Sequence, residues 1–261
     1  MIFIGERINA GFQDIKEAIQ NKDPEPIKKW ARIQTDARAT YLDVNLGTAS
    51  NKPEDLCWMI ETVQEEVDTP ISIDNNRPNM LTEAMKVCKK PPLVNSTTAV
   101  EEKMNSLFPI VAEHNASIIG LVMDESGSPA TADRRVENAA KLFEKAIENG
   151  LSPDQLFIDP IIMPLNCMQE QCQEILNAVS QFKLFSEPPV HIVCGLSNIS
   201  SGAKYKKLIN RTFMAMLITQ GLDAAILDVT DTEMVDTILT AELIMNKTIY
   251  ADGYVEAFRK S

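Results

Sequence analysis

The amino-acid sequence predicts an α/β fold, a (β/α)8 TIM barrel, on three observations. Strand-length apolar runs recur eight times, amphipathic stretches of helix length separate them, and 261 residues matches the ~250 that such a barrel uses. The first run is Ile2–Ile8. A helix over Pro26–Asp36 follows, with Ile27, Trp30, Ala31 and Ile33 near helical spacing. The second run, Ala39–Leu46, precedes a helix over Pro53–Val67, which Asn51 and Pro53 open. Pro70–Asp74 and the helix Asn79–Cys88 come next, then Leu93–Ser96 with Val100–Asn115. Ser117–Met123 pairs with Thr131–Asn149, closed by Asn149-Gly150, and Leu156–Ile161 with Met168–Phe185. His191–Leu196 leads to Lys207–Gln220, closed by Gln220-Gly221, and Asp223–Asp228 to Thr232–Met245. The runs are mostly continuous and rich in Ile, Val and Leu, as parallel strands covered on both faces should be. No Gly/Ser-rich linker interrupts the series, so the reading is one domain over 1–261. An open doubly wound sheet is the alternative, because periodicity does not prove closure.

Composition narrows the function classes. With 25 basic and 37 acidic residues the net charge is −12, which speaks against a nucleic-acid partner. Five cysteines, at 57, 88, 167, 172 and 194, form no close pairing pattern and read as reduced thiols. No apolar run approaches the ~20 residues of a bilayer span. The start, Met1 to Arg7, becomes charged too early for a signal peptide. The expectation is a cytoplasmic protein with no membrane partner.

In a parallel barrel the active site lies at the C-terminal ends of the strands. Those ends carry Glu6, Arg7 and Asn9; Asp43 and Asn45; Asp74, Asn75 and Asn76; Asn95, Ser96, Thr97 and Thr98. The later four carry Asp124 and Glu125; Asp159; Ser197, Asn198 and Ser200; Asp228 and Asp231. The ring has no strand-end Lys for a Schiff base. Only two histidines, His114 and His191, exist, so a His-rich metal site is excluded and no intrinsic metal is expected. His191 starts its strand, at the opposite end of the barrel. No GxxxxGK[ST] or GxGxxG occurs. Carboxylates accept and carboxamides both donate and accept, which suits a flat heterocycle such as a 2-amino-4-oxo pyrimidine. Each charge-assisted bond to such a ring is worth ~1.5–3 kcal/mol. Asp and Asn also serve at strand ends as caps and turn formers. That role is hard to assign to Asp74, Asn95, Asp159 and Asn198 together, whereas Asp43, Asn45 and Asp228 stand between structural and functional readings.

The motifs Ile4–Asn9 (IGERIN), Leu42–Gly47 (LDVNLG), Ser72–Asn76 (SIDNN), Val94–Thr97 (VNST), Ile158–Pro160 (IDP), Gly195–Asn198 (GLSN) and Leu208–Phe213 (LINRTF) resemble the pterin-binding methyltransferases. More narrowly, the chain resembles the methyltetrahydrofolate:corrinoid protein methyltransferases, from the first strand to Tyr250–Phe258 (YADGYVEAF). The resemblance implies a pterin-binding barrel, usually a homodimer, with tetrahydrofolate or 5-methyltetrahydrofolate as substrate. It implies that Asp74, Asn95 and Asp159 hold the pterin ring, that Asn198 approaches the methyl-bearing N5 as the catalytic group, and that Ser201 and Lys206 also contact folate. Lys206 stands where a close relative has Arg; it keeps the charge and loses the planar fork. Dihydropteroate synthase carries Ser-Arg-Lys where this chain has Leu196-Ser197-Asn198, which disfavours that activity.

Asn198 can donate a hydrogen bond but cannot supply a proton at neutral pH, so the proton at N5 comes from water or a nearby carboxyl. No Asp-x-His-x-x-Gly is present; the corrinoid (cobalamin) is therefore expected on a separate partner protein. Met123, Ile161 and Met163 are candidates for an apolar rim, or for simple packing. Lys204, Lys206, Lys207 and Arg211 form a basic cluster that suits the glutamate tail of folate or, equally, a solvated helix start. The direction of transfer, folate to cobalt or cobalt to folate, is not readable from residues. A phosphate-binding barrel using the Gly195–Gly202 loop and a non-catalytic folate-binding barrel are the other readings.

Overall fold

A computed structural model describes residues 1–250, 253 and 254. Of Tyr250–Phe258, all but Tyr250, Gly253 and Tyr254 lie outside the described residues. The strands are β1 (Ile2–Asn9), β2 (Tyr41–Asn45), β3 (Ile71–Asp74), β4 (Leu93–Thr98), β5 (Ser117–Leu121), β6 (Leu156–Asp159), β7 (His191–Ile192) and β8 (Ala224–Leu227). All pairings are parallel, in the order β7-β6-β5-β4-β3-β2-β1-β8. A single parallel bridge, Gly195 to Ile226, joins the two ends, with Ile226 N donating to Cys194 O at 2.9 Å. The barrel therefore closes at its β7–β8 seam by one bridge.

The helices are α1 (Gln13–Asn21), α2 (Glu25–Asp36), α3 (Pro53–Glu66), α4 (Pro78–Val87), α5 (Glu101–Glu113), α6 (Ala132–Glu148), α7 (Gln171–Phe182), α8 (Lys206–Gln220) and α9 (Thr232–Ile244). Two differences from expectation have physical causes. The seventh strand, expected over His191–Leu196, is hydrogen-bonded as a ladder only over His191–Ile192, because Leu196–Ser200 coil into a 3-10 turn. Helix α3 has Lys52, not Asn51, at its N-cap; the Asn51 side chain instead accepts from Arg77 Nη1 at 3.4 Å. Helix α1 was not expected. It is short and mostly polar, burying only Ile15, Ala18 and Ile19.

Two apolar layers form. A large cluster fills the space between sheet and helices. A smaller one, Ile4, Leu93, Ile119, Phe157, Val193 and Ala224, fills the barrel interior. Close approach of α6 to the sheet depends on Gly120 in β5, where a Cβ would lie 2.9 Å from Leu142 Cδ1. At the N-terminal end, His191 stacks on Phe157 with ring centroids 4.6 Å apart. Asp223 there accepts from His191 Nδ1 at 3.0 Å, Lys183 Nζ at 2.8 Å and Ile192 N at 2.7 Å.

Candidate pterin site at the barrel mouth

Side chains on a strand alternate faces, so residues two positions beyond the interior cluster also point inward, one layer nearer the C-terminal mouth. From Ile4 that residue is Glu6, from Leu93 it is Asn95, from Phe157 Asp159, and from Val193 Gly195. The same parity, from Tyr41, gives Asp43 and then Asn45 on β2; Ser72 leads to Asp74 on β3. The apolar layer thus forms a floor; the next layer is a broken polar ring, polar on β1, β2, β3, β4 and β6 and apolar at Leu121 on β5 and Ile226 on β8.

On one side of the ring, Asp74 and Asn95 are register partners across β3 and β4. Both line a polar cleft with Asn45, Gly47, Asn75, Asn76, Arg77 and Ser96. Below them, Asp43 is buried and accepts from Ser72 Oγ at 2.5 Å and Asn95 Nδ2 at 3.1 Å. That second bond fixes the Asn95 amide: its NH₂ is engaged inward, leaving its oxygen as the acceptor for a guest. Asn45 does the same for Asp74. Its NH₂ donates to Asp74 Oδ2 while its oxygen accepts from Gly47 N at 2.5 Å. Asp43 and Asn45 therefore set the hydrogen-bonding polarity of the two residues in front of them.

Burial pushes the Asp43 carboxyl up, and the neighbouring charges of Asp74 and Glu6 push it further. Asp74 is raised by burial against the opposing Asn45 bond, and Glu6 by burial and then by Asp228. A guest rich in N–H groups would complement the carboxylates of this mouth.

On the other side, Asp159 ends β6 and is buried. Burial raises its carboxyl to about 6 against the N–H groups of Ile161 and Gly195, which donate to it. The Ile161 bond is 2.7 Å and closes a tight turn over Asp159–Pro160–Ile161. Ile161 has φ +60°, in the left-handed region. A β-branched residue there is strained by ~1–3 kcal/mol. Gly195 also adjoins Asn198, since a Cβ on Gly195 would lie 3.7 Å from Asn198 Nδ2. One glycine thus touches both Asp159 and Asn198. Asn198 is exposed within the 3-10 turn. Ser201 is exposed farther along the same loop and Lys206 is exposed at the first residue of α8, and Ser201 N donates to Asn198 O at 3.1 Å.

Other strand-end acids have local duties. Asp124 accepts from Ser126 Oγ at 2.5 Å and Asn138 Nδ2 at 3.0 Å and pairs with Arg134 at 2.6 Å. Asp231 caps α9, accepting from Met234 N at 3.2 Å. Asp228 is exposed and accepts from Thr230 N at 2.9 Å. Arg7 pairs with Asp14 at 2.8 Å and lies over the rings of Phe12 and Trp30. In the basic cluster, Arg211 is taken by Glu233 and by Asp231, the latter at 3.5 Å, and is not free for an anionic tail; Lys204 and Lys206 have no ion-pair partner among the described residues. Met123, Ile161 and Met163 are half-buried. No cluster of three or more His, Cys, Asp or Glu able to hold a metal occurs among the described residues. No helix among them is long and apolar enough to cross a membrane.

Fold and site together define a parallel barrel with carboxylates and carboxamides at the C-terminal ends of its strands. The family model described as pterin binding enzyme matches residues 5–228, and the chain belongs to that family. It is 36% identical to the methylcorrinoid:tetrahydrofolate methyltransferase of Eubacterium limosum, over all of this chain and 97% of that protein. It is 27% identical to the methionine synthase of Mycobacterium tuberculosis over 87% of this chain, which spans only 20% of that longer protein. Among solved structures, a Yersinia pestis dihydropteroate synthase with a pterine-sulfa conjugate superposes with a TM-score of 0.67, covering 95% of this chain and 94% of that one. At 14% identity this last likeness speaks for the fold alone.

Proposed function

We propose that the protein is a methyltransferase that moves a methyl group between N5 of tetrahydrofolate and the cobalt of a corrinoid carried by a partner protein. The observation that carries the proposal is the pairing of Asp74 with Asn95 in one polar cleft, with Asp159 at the C-terminal end of β6 on the same end of the barrel, in a chain similar along its whole length to the Eubacterium limosum enzyme. A reduced pterin offers N–H donors along one edge, and the ring's carboxylates and the outward oxygen of Asn95 are their complement. Asp74, Asn95 and Asp159 hold the ring, and Asn198 faces N5. Ser201 and Lys206 meet the rest of the folate, with Lys204 and Lys206, unpaired among the described residues, for its carboxylates.

The chemistry at N5 is limited by the leaving group. When folate is the donor, cobalt(I) takes the methyl carbon, the C–N bond breaks, and its electron pair stays on N5, which gains a proton. The Asn198 NH₂ donates to N5 and eases that build-up of charge, and the proton arrives from solvent or from a mouth carboxyl. When the corrinoid is the donor, the same steps run backwards, since a catalyst lowers both barriers alike. The partner protein and the metabolite levels set the direction. The chain acts as one cytoplasmic domain, as a homodimer, and leaves its mouth open for the corrinoid protein to approach.

The test is spectroscopic. With 5-methyltetrahydrofolate and cob(I)alamin the cobalt absorption should convert to that of methylcobalamin, and with methylcobalamin and tetrahydrofolate the reverse. Folate binding with no methyl movement in either direction, even with corrinoid proteins present, would leave a binding protein instead. Light scattering from the eluting peak in size exclusion checks the dimer.

A further inference from the structure

Behind the mouth lies a buried cation that the proposed chemistry does not use. Arg135, in the first turn of α6, is 0% exposed and has no ion pair among the described residues. Its Nε donates to Pro160 O at 3.0 Å, its Nη1 to Thr131 O at 3.3 Å and its Nη2 to Gln171 Oε1 at 2.6 Å. Gln171 Nε2 donates in turn to Ala130 O at 2.8 Å. One side chain thereby ties the loop after β5 to the loop after β6. A guanidinium buried with no carboxylate in direct contact, Glu174 attracting it only from a distance, is an expensive way to fill volume, which an apolar residue would fill more cheaply.

Pro160 C=O and Ile161 N–H belong to one peptide group. Arg135 grips its oxygen and Asp159 Oδ1 accepts from its nitrogen at 2.7 Å. The next bond is the strained one, the φ of +60° at Ile161. Released, that peptide plane would rotate toward an ordinary φ and carry its N–H away from Asp159. We infer that Arg135 is a positioning residue, which locks the Pro160–Ile161 peptide plane and through it aims the Asp159 carboxyl into the mouth. The inference rests on the reading of Asp159 as a folate ligand.

The test uses strain relief. Arg135→Met keeps the volume and removes the clamp; Ile161→Gly removes the Cβ that makes the left-handed turn costly. Tetrahydrofolate affinity is measured by calorimetry and stability by thermal melting, for both single variants and the double. Arg135→Met should weaken folate about ten- to a hundredfold, the scale of one lost charged hydrogen bond. Ile161→Gly added to it should restore most of that affinity, while the melting temperature stays low. A merely structural arginine would give the opposite, because the glycine would then add its own loss. Folate binding by Arg135→Met within about twofold of wild type, or no recovery in the double variant, overturns the inference. If Arg135→Met does not fold, Gln171→Leu removes one arm of the clamp; it should weaken folate less and be rescued by the same glycine, and failure of either result overturns the inference. Wild-type protein that ignores folate would instead defeat the proposed function, so the two failures are distinguishable.

Discussion

Asp159→Asn separates affinity from stability, because the carboxylate that grips the guest is itself uncomfortable in the empty protein. Raising the carboxyl from its ordinary 3.8 to about 6 means that the ionised form costs the folded state ~3 kcal/mol at pH 7. An amide removes that penalty. It can still accept from Ile161 N through its oxygen, but its NH₂ then confronts the second backbone donor, Gly195 N, a loss of ~1–3 kcal/mol. The net is a gain of ~0–2 kcal/mol, so at pH 7 the variant should melt level with wild type or up to ~8 °C above it. The sign changes with pH in a defined way. Between 3.8 and about 6 the folded carboxyl holds more protons than the unfolded one, so the wild-type penalty fades as pH falls through 6 and is gone near 4. At pH 4 the variant keeps only its loss and should melt below wild type. Folate affinity moves differently: losing a charge-assisted pair weakens it by ~1.5–3 kcal/mol, about ten- to a hundredfold at pH 7. The ratio of the two affinities should shrink below pH 6, where protonation disarms the wild-type carboxyl as well. Calorimetric titration and thermal melting from pH 4 to 8 measure all of this. A variant that binds folate like wild type at pH 7, or an affinity ratio indifferent to pH, would refute the reasoning.

Two further outcomes follow from other contacts. Asn198→Ala should leave the folate Kd near the wild-type value and slow methyl transfer about a hundredfold or more in stopped flow, the scale of one lost transition-state donor; a wild-type rate would remove its catalytic role. Gly120→Ala, far from the mouth, forces a Cβ to 2.9 Å from Leu142 and should destabilise by ~1–3 kcal/mol, read as a lower denaturant midpoint with folate binding intact at low denaturant.

How much of this was legible in the sequence depended on whether a signal was local. The eight strands read well because both of their faces are apolar, and Ile, Val and Leu runs survive any register. The β7 segment misled for the same reason: Val193, Cys194 and Leu196 are buried, but burial alone does not extend a ladder. Helix α1 has no proline start and no side-chain cap, so it left little trace. The strand-end rule placed Asp74, Asn95 and Asp159 toward the C-terminal ends of β3, β4 and β6, as proposed ligands, because position along a strand is one-dimensional. It also gathered Asp124 and Asp231, whose duties depend on Asn138, Arg134 and Met234, partners that the fold supplies. Arg135 was invisible: in Arg134-Arg135 the two side chains look alike on paper, and only the helix phase exposes one and buries the other.

Gly195 has an evolutionary consequence. Its amide holds the group proposed to grip the pterin, and its α-carbon adjoins the amide proposed to face the departing methyl. A displacement of this one peptide would therefore move both groups. Lineages that reshape the backbone there should find that binding and turnover drift together.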